Sequence, residues 1–227
     1  PLLADVAPAR LFDESLKLFL SGHGLESLRR LHNHGLLGEI FPATAAALAG
    51  PRAAAFGRLL GYTFTNTDER VRADKPVTPA FLFAAMLWEP VRALAERLIA
   101  EGGAADVAWP TAVARIMHQQ ATRVAIPRRF GLGMEEIWAL QPRFEQRQKK
   151  RVARLLAHPR FRAAFDFLVL RAHDEPDLAE LVEWWSEVQQ LDPQSLGQHL
   201  APPPERSEGE PEAKRKRPRR RRKPAEA

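Results

Sequence analysis

The 227-residue sequence contains no cysteine, so disulfide bonds and zinc sites built from thiolates are excluded. Its longest apolar run, Val77 to Trp88, is well short of the ~20 residues that span a bilayer. No segment alternates apolar and polar residues long enough to predict a strand. These absences favour a helical protein of a reducing compartment, and we expect it in the cytoplasm without a membrane span or a disulfide-linked partner.

The sequence also lacks the motifs of a reaction centre. It has no phosphate-binding loop of the form Gly-x-x-x-x-Gly-Lys-Ser/Thr, and before the tail it has no Asp-x-Asp pair that would hold two magnesium ions. Its seven histidines include no pair spaced four residues apart with a carboxylate partner, so we predict no metal or cofactor site in this chain. Because the first residue is proline and not methionine, we expect an N-terminal part to be missing.

Positive charge is concentrated at the C-terminal end. The chain carries 34 Lys and Arg against 28 Asp and Glu, whereas residues 201–227 hold ten against five and residues 1–200 hold 24 against 23. A run of cations follows the Pro202-Pro203-Pro204 linker and offers no apolar surface that could offset the entropy of ordering. We therefore predict a disordered tail over residues 201–227 that binds nucleic acid. Its predicted contact residues are Lys214, Arg215, Lys216, Arg217, Arg219, Arg220, Arg221, Arg222 and Lys223.

Apolar residues before the tail recur at helical spacing, and Gly and Pro residues separate the segments. The pattern predicts an all-α, multi-helix neck and body array. The expected helices cover residues 8–20, 25–34, 36–40, 53–62, 79–99, 111–124, 134–140, 142–157, 159–172 and 176–191.

The segment from Pro142 to His158 carries the strongest functional signal of this array. If it is one helix with about 100° per residue, its cations share one face and its apolar residues the other. A guanidinium group suits phosphate because it can donate two parallel hydrogen bonds. With the pair Arg128 and Arg129, this face predicts an RNA-binding surface. Its residues are Arg143, Arg147, Lys150, Arg151 and Arg154.

Two other interpretations of this basic face remain open. It could be an ordinary solvated surface, or it could be neutralised by the acidic residues Asp177, Glu180, Glu183 and Glu187. Aromatic residues nearby could also stack on bases. The spacing places Trp185 in the core and leaves Trp184 as the less buried of the two rings.

An ordered set of segments resembles the class II nucleotidyltransferases, the family of bacterial poly(A) polymerases and CCA-adding enzymes. The resemblance covers essentially the whole chain, and the order of the segments is more specific than any one of them. The segments are 8–19 (PARLFDESLKLF), 35–37 (GLL), 41–42 (FP), 77–88 (VTPAFLFAAMLW), 126–130 (IPRRF), 137–141 (IWALQ), 158–168 (HPRFRAAFDFL), 181–185 (LVEWW) and the Arg-rich end.

The resemblance, to the poly(A) polymerase branch above all, implies an enzyme that adds AMP from ATP to RNA 3′ ends. ATP and Mg²⁺ would bind in a separate N-terminal head, while this chain guides RNA. It also implies a neck over residues 1–50, a body over 51–200 and the tail over 201–227, with Arg10 and Glu14 as a supporting ion pair or an ordinary solvated one. A CCA-adding tRNA nucleotidyltransferase and a non-enzymatic helical adaptor remain alternatives.

Overall fold

The computed structural model describes residues 3, 5–192 and 195. This part of the chain contains eleven α-helices, two short 3₁₀ turns and no strand, which confirms the all-α prediction. The helices are α1 (Pro8–Phe19), α2 (Gly24–Asn33), α3 (Leu36–Ile40), α4 (Pro42–Ala47), α5 (Ala53–Arg72), α6 (Pro79–Ala100), α7 (Ala105–Ala121), α8 (Arg128–Leu140), α9 (Lys149–Leu156), α10 (Phe161–Ala172) and α11 (Ala179–Val188). The predicted tail over residues 201–227 lies outside the described residues.

Proline and glycine mark several helix ends. Proline opens α1, α4 and α6, where its missing N–H has no helical partner in any case. Gly35 separates α2 from α3 with φ of 71°, a left-handed conformation that side chains other than glycine rarely adopt. The short N-terminal helices are therefore bounded by local backbone chemistry.

Helix α6 lies at the centre of the molecule. Residues 82–91 are all buried, and the helix packs against α4, α5, α7 and α8. A helix that is apolar on every side needs neighbours on every side, which explains the long apolar run of the sequence. No described helix combines the length and apolarity needed to cross a membrane.

The N-terminal helices share one hydrophobic core with α6. Phe19 of α1 lies 5.2 Å, between ring centroids, from Phe64 of α5 and 5.9 Å from Phe41. Phe41 in turn lies 5.9 Å from Phe83 of α6. These contacts join residues on both sides of position 50 into a single packed unit.

The C-terminal helices bury a second apolar cluster. It is built around Phe144, Phe161, Phe165 and Trp185, with Val152 and Leu155 of α9 packed against it. The indole Nε1 of Trp185 donates a hydrogen bond to the carbonyl of Phe144 at 2.8 Å. Trp185 is completely buried and Trp184 only partly, so the predicted order of the two rings is confirmed.

The single helix predicted over residues 142–157 is wrong. The chain forms a 3₁₀ turn at Gln141–Arg143, and α9 begins only at Lys149. The carbonyl of Phe144 accepts the Trp185 indole hydrogen bond, and the Phe144 side chain is buried in the second cluster. Tertiary contacts therefore fix this segment in a non-helical path.

Other predicted helix boundaries also differ from the structure. The helix predicted to end at residue 62 continues to Arg72, α7 begins six residues earlier than expected with Pro110 inside it, and α8 begins at Arg128. The last predicted helix is divided into a 3₁₀ turn at Pro176–Leu178 and α11. The predicted list also omits α4, and α10 begins two residues later than predicted.

Candidate nucleic-acid interface

Helix α9 presents the densest group of cations in the described structure. Val152 and Leu155 are buried against the second cluster, which turns the polar side of the helix to solvent. Lys149, Lys150, Arg151 and Arg154 are exposed, and none of these four forms an ion pair with another described residue. Unpaired cations on one short helix can each donate to a phosphate oxygen.

Arg147 differs from its predicted partners because its charge is already paired. Its Nη2 donates to Glu180 Oε1 at 2.8 Å, and its guanidinium carbon lies 5.2 Å from the centroid of the Trp184 ring. The interpretation of internal neutralisation is therefore confirmed for Arg147. None of the α9 cations pairs with a carboxylate of the described residues in this way. Arg143 lies exposed on the 3₁₀ turn that precedes them.

A second group of cations lies where the α7–α8 loop meets the start of α1. The backbone N–H of Ala125 donates to the carbonyl of Pro8 at 3.1 Å, and the ring centroids of Phe12 and Phe130 are 5.7 Å apart. These contacts bring the chain around Arg10 next to the chain around residues 123–129. The exposed cations of these two segments are Arg10, Arg123, Arg128 and Arg129.

Arg123 was missed in the sequence because nothing in its local pattern marks it. It lies in the loop just before the predicted pair Arg128 and Arg129, and the contact between this loop and α1, which joins residues more than 100 positions apart, brings Arg10 to them. Arg129 also lies 4.7 Å, measured from its guanidinium carbon, from the ring centroid of Phe130. Four exposed arginines are therefore brought to this edge of the molecule.

Glu14 forms a different ion pair from the predicted one with Arg10. Its carboxylate accepts a hydrogen bond from Lys17 Nζ at 2.9 Å. This hydrogen bond is the main reason why the pKa of Glu14 is lowered, and the charge of Arg10 contributes least. The predicted Arg10–Glu14 pair is thus replaced by the pair with Lys17, one turn further along α1, and Arg10 keeps its guanidinium for other contacts.

Two further arginines line a shallow pocket of about 380 Å³ between α2 and α5, together with the carboxylates of Glu26 and Asp68. Arg29 and Arg72 line it, and neither forms an ion pair with another described residue. Asp68, which is buried, accepts hydrogen bonds there from the backbone N–H groups of Gly24 at 2.6 Å and Leu25 at 3.1 Å. Asp68 of α5 thereby caps α2. No local pattern in the sequence marks this site, because its two arginines are 43 positions apart.

The predicted cations of residues 214–223 lie outside the described residues. Of the other predicted contact residues, the structure places Lys150, Arg151 and Arg154 together on α9 and Arg128 and Arg129 beside the start of α1. It removes Arg147 from the group of unpaired cations.

Two known families match different parts of the chain. The family described as "Polymerase A arginine-rich C-terminus" matches residues 101–223, and the one described as "Probable RNA and SrmB- binding site of polymerase A" matches residues 1–48. The first match contains α9 and the α8 arginines, and the second contains α1 and α2.

The chain is also similar to curated bacterial proteins. It is 40% identical over 191 residues to "Poly(A) polymerase I" from Salmonella typhi and to the protein of that name from Escherichia coli O157:H7, covering 83% of this chain and 41% of each relative. The "Poly(A) polymerase I" of Haemophilus influenzae is 39% identical over 191 residues, with 83% and 42% covered. The chain thus spans about two fifths of the length of the curated relatives it matches.

Proposed function

The chain belongs to the polymerase A family, whose arginine-rich C-terminal region it contains, and from this premise we propose that it is the RNA-binding part of a polynucleotide adenylyltransferase. The whole enzyme would add AMP from ATP to RNA 3′ ends and so act in RNA processing and turnover. The observation that carries the proposal is the set of exposed, unpaired cations on α9.

The phosphates of the RNA would contact the exposed cations on the surface of the chain. Cations placed at intervals along a surface bind a polyanion with little dependence on base sequence, since phosphate contacts position a strand without reading its bases. The α9 cations and the cluster of Arg10, Arg123, Arg128 and Arg129 are separate groups of this kind, and the predicted tail run would add a third.

The reaction itself requires groups that these residues do not supply. Among the described residues, no three His, Asp or Glu side chains are grouped so that they could hold a metal ion. We assign ATP and Mg²⁺ to an N-terminal catalytic head outside this chain, because the chain covers only about two fifths of the length of its relatives. The head would be a partner of this chain, in the cytoplasm, and RNA 3′ ends its substrate.

Poly(A) addition is favoured over the two alternatives. The relatives are named as poly(A) polymerases, and the longer of the two family matches is to an arginine-rich C-terminus. A CCA-adding enzyme would select CTP and ATP in turn, and a non-enzymatic adaptor would select neither. Nucleotide incorporation by the intact protein therefore separates all three.

The test has a binding part and a catalytic part. A fluorescent single-stranded RNA is titrated with the chain between 50 and 200 mM NaCl, and contact with about six phosphates predicts a loss of affinity of roughly 300-fold over this range. The intact protein is then given RNA with ATP or CTP, and incorporation of AMP alone is expected. Binding that does not change with salt, or incorporation of CMP, would contradict the proposal.

A further inference from the structure

A cleft of about 430 Å³ opens between the two hydrophobic clusters. Its lining comes from α6, α7 and α8, from the Gln141–Arg143 and Pro176–Leu178 turns, and from α10 and α11. We call it the inter-core cleft. Ligand sites occur preferentially where two packed units meet, so its position alone makes it a candidate for binding.

The walls of the inter-core cleft are mainly apolar. The rings of Trp88 and Trp109 have centroids 5.3 Å apart, and Leu178 also lines the cleft. At the mouth, Ile99 is 46% exposed, which is high for an aliphatic side chain. A large apolar group entering the cleft would be removed from water, together with the exposed part of Ile99.

The two arginines that line the cleft are already neutralised. Arg171 lies over the Trp88 ring at 4.7 Å, donates to Gln141 Oε1 at 3.1 Å and pairs with Glu175 at 2.6 Å. Arg92 donates to the carboxylates of both Glu89 and Glu96, and the hydrogen bond with Glu89 raises the pKa of Arg92 above its usual value. Neither guanidinium is therefore available to a phosphate.

The remaining charge of the lining is negative. Glu145 lines the cleft and is exposed, and it forms no ion pair with any residue in the described part of the chain. An apolar cleft with one unpaired carboxylate complements a ligand that combines an apolar group with a cation. It repels a polyanion, which distinguishes it from the basic surface of α9.

We propose that the inter-core cleft docks a short segment of another protein, in which a large apolar side chain enters between Trp109 and Leu178 and a neighbouring lysine or arginine pairs with Glu145. The partner is a protein segment and not RNA, because the charge of the lining opposes phosphate. This site would act independently of the RNA contacts, and its failure would leave the proposed function intact.

The experiment selects short random peptides, displayed on phage, against the immobilised chain. Enriched peptides are synthesised with a fluorescent label, and their dissociation constants are measured for the unaltered chain and for Ile99→Ser and Glu145→Lys. Leu132→Ser and Glu135→Lys serve as matched controls, because they change an exposed leucine and an exposed glutamate that do not line the cleft.

The expected peptides carry a large apolar residue next to Lys or Arg. Their affinity should fall roughly tenfold in each cleft variant, as for a central interface residue, and stay within about twofold in the controls. The proposal is overturned if no peptide is enriched, if the enriched peptides lack a cation, or if cleft variants and controls bind alike. It is also overturned if adenosine monophosphate displaces the peptides, since the cleft would then bind a nucleotide.

Discussion

Replacing Lys150, Arg151 and Arg154 of α9 together by alanine should weaken the binding of single-stranded RNA about a hundredfold at 0.1 M salt. For single strands, the logarithm of the binding constant falls by about 0.7 for each tenfold rise in salt and each phosphate contacted. The loss of three contacts therefore reduces the slope of log K against log salt concentration by about 2. At 0.1 M salt this loss weakens the binding free energy by about 3 kcal/mol. Alanine is a strong helix former, and the buried Val152 and Leu155 are unchanged, so α9 should stay folded.

The assay is fluorescence anisotropy of a labelled single-stranded RNA at several NaCl concentrations, with circular dichroism as a check on helix content. Arg147→Ala is the matched control, because Arg147 belongs to the same basic segment but is paired with Glu180. It should lower the affinity by less than the loss of one α9 contact, since Arg147 must give up its pair with Glu180, worth up to about 1 kcal/mol, to contact a phosphate. If Arg147→Ala lowered the slope as much as the triple variant, or if the triple variant left the slope unchanged, the assignment of the interface to α9 would be refuted.

Three further outcomes are expected. A Cβ at Gly24 would lie 2.4 Å from a main-chain carbonyl oxygen, so Gly24→Ala should lower the free energy of unfolding, measured in urea, by about 3 kcal/mol. Gly35→Ala, where φ is positive but the surrounding space is open, should cost only about 1 kcal/mol, and the reverse order would contradict this account. Burial raises the pKa of Asp166 above its usual value of 3.8, so the folded state retains a proton that the unfolded state has lost. The free energy of unfolding should therefore fall as the pH rises through the window just above 3.8. Asp166→Asn should remove this pH dependence from urea unfolding curves, and an unchanged pH dependence would show that Asp166 is not its cause. Deleting residues 214–223 removes nine cations and should weaken RNA binding without abolishing it, and complete loss would show that the surface of the helical body does not bind RNA.

Local patterns predicted the helical class and the central helix, because both depend on features that neighbouring residues share. The apolar run from Val77 predicted α6 within one residue of its end, and the spacing of Trp185 predicted its burial. The extent of α5 could not be predicted in this way, because Thr63, Thr67 and Asp68 are poor helix formers. In the folded molecule, both threonine hydroxyls donate to carbonyls one turn earlier, and Asp68 caps another helix.

The sequence predicted which residue types form the candidate interface, but not which of its arginines form ion pairs. The sequence placed Arg147 and Arg151 on one face, since it showed no break between Pro142 and His158. The break depends on Trp185, whose indole binds the Phe144 carbonyl 41 positions away. Only that long-range contact decides which arginines of the segment meet Glu180 and which remain open to solvent.

The packing of Phe19 and Phe41 against Phe64 and Phe83 has a consequence for protein engineering. Residues 49–100, which neither family description covers, contain the helix that all the N-terminal segments share. In a chimera joined at residue 50, the aromatic core would combine rings from two different parent proteins, and their packing would have to be optimised again.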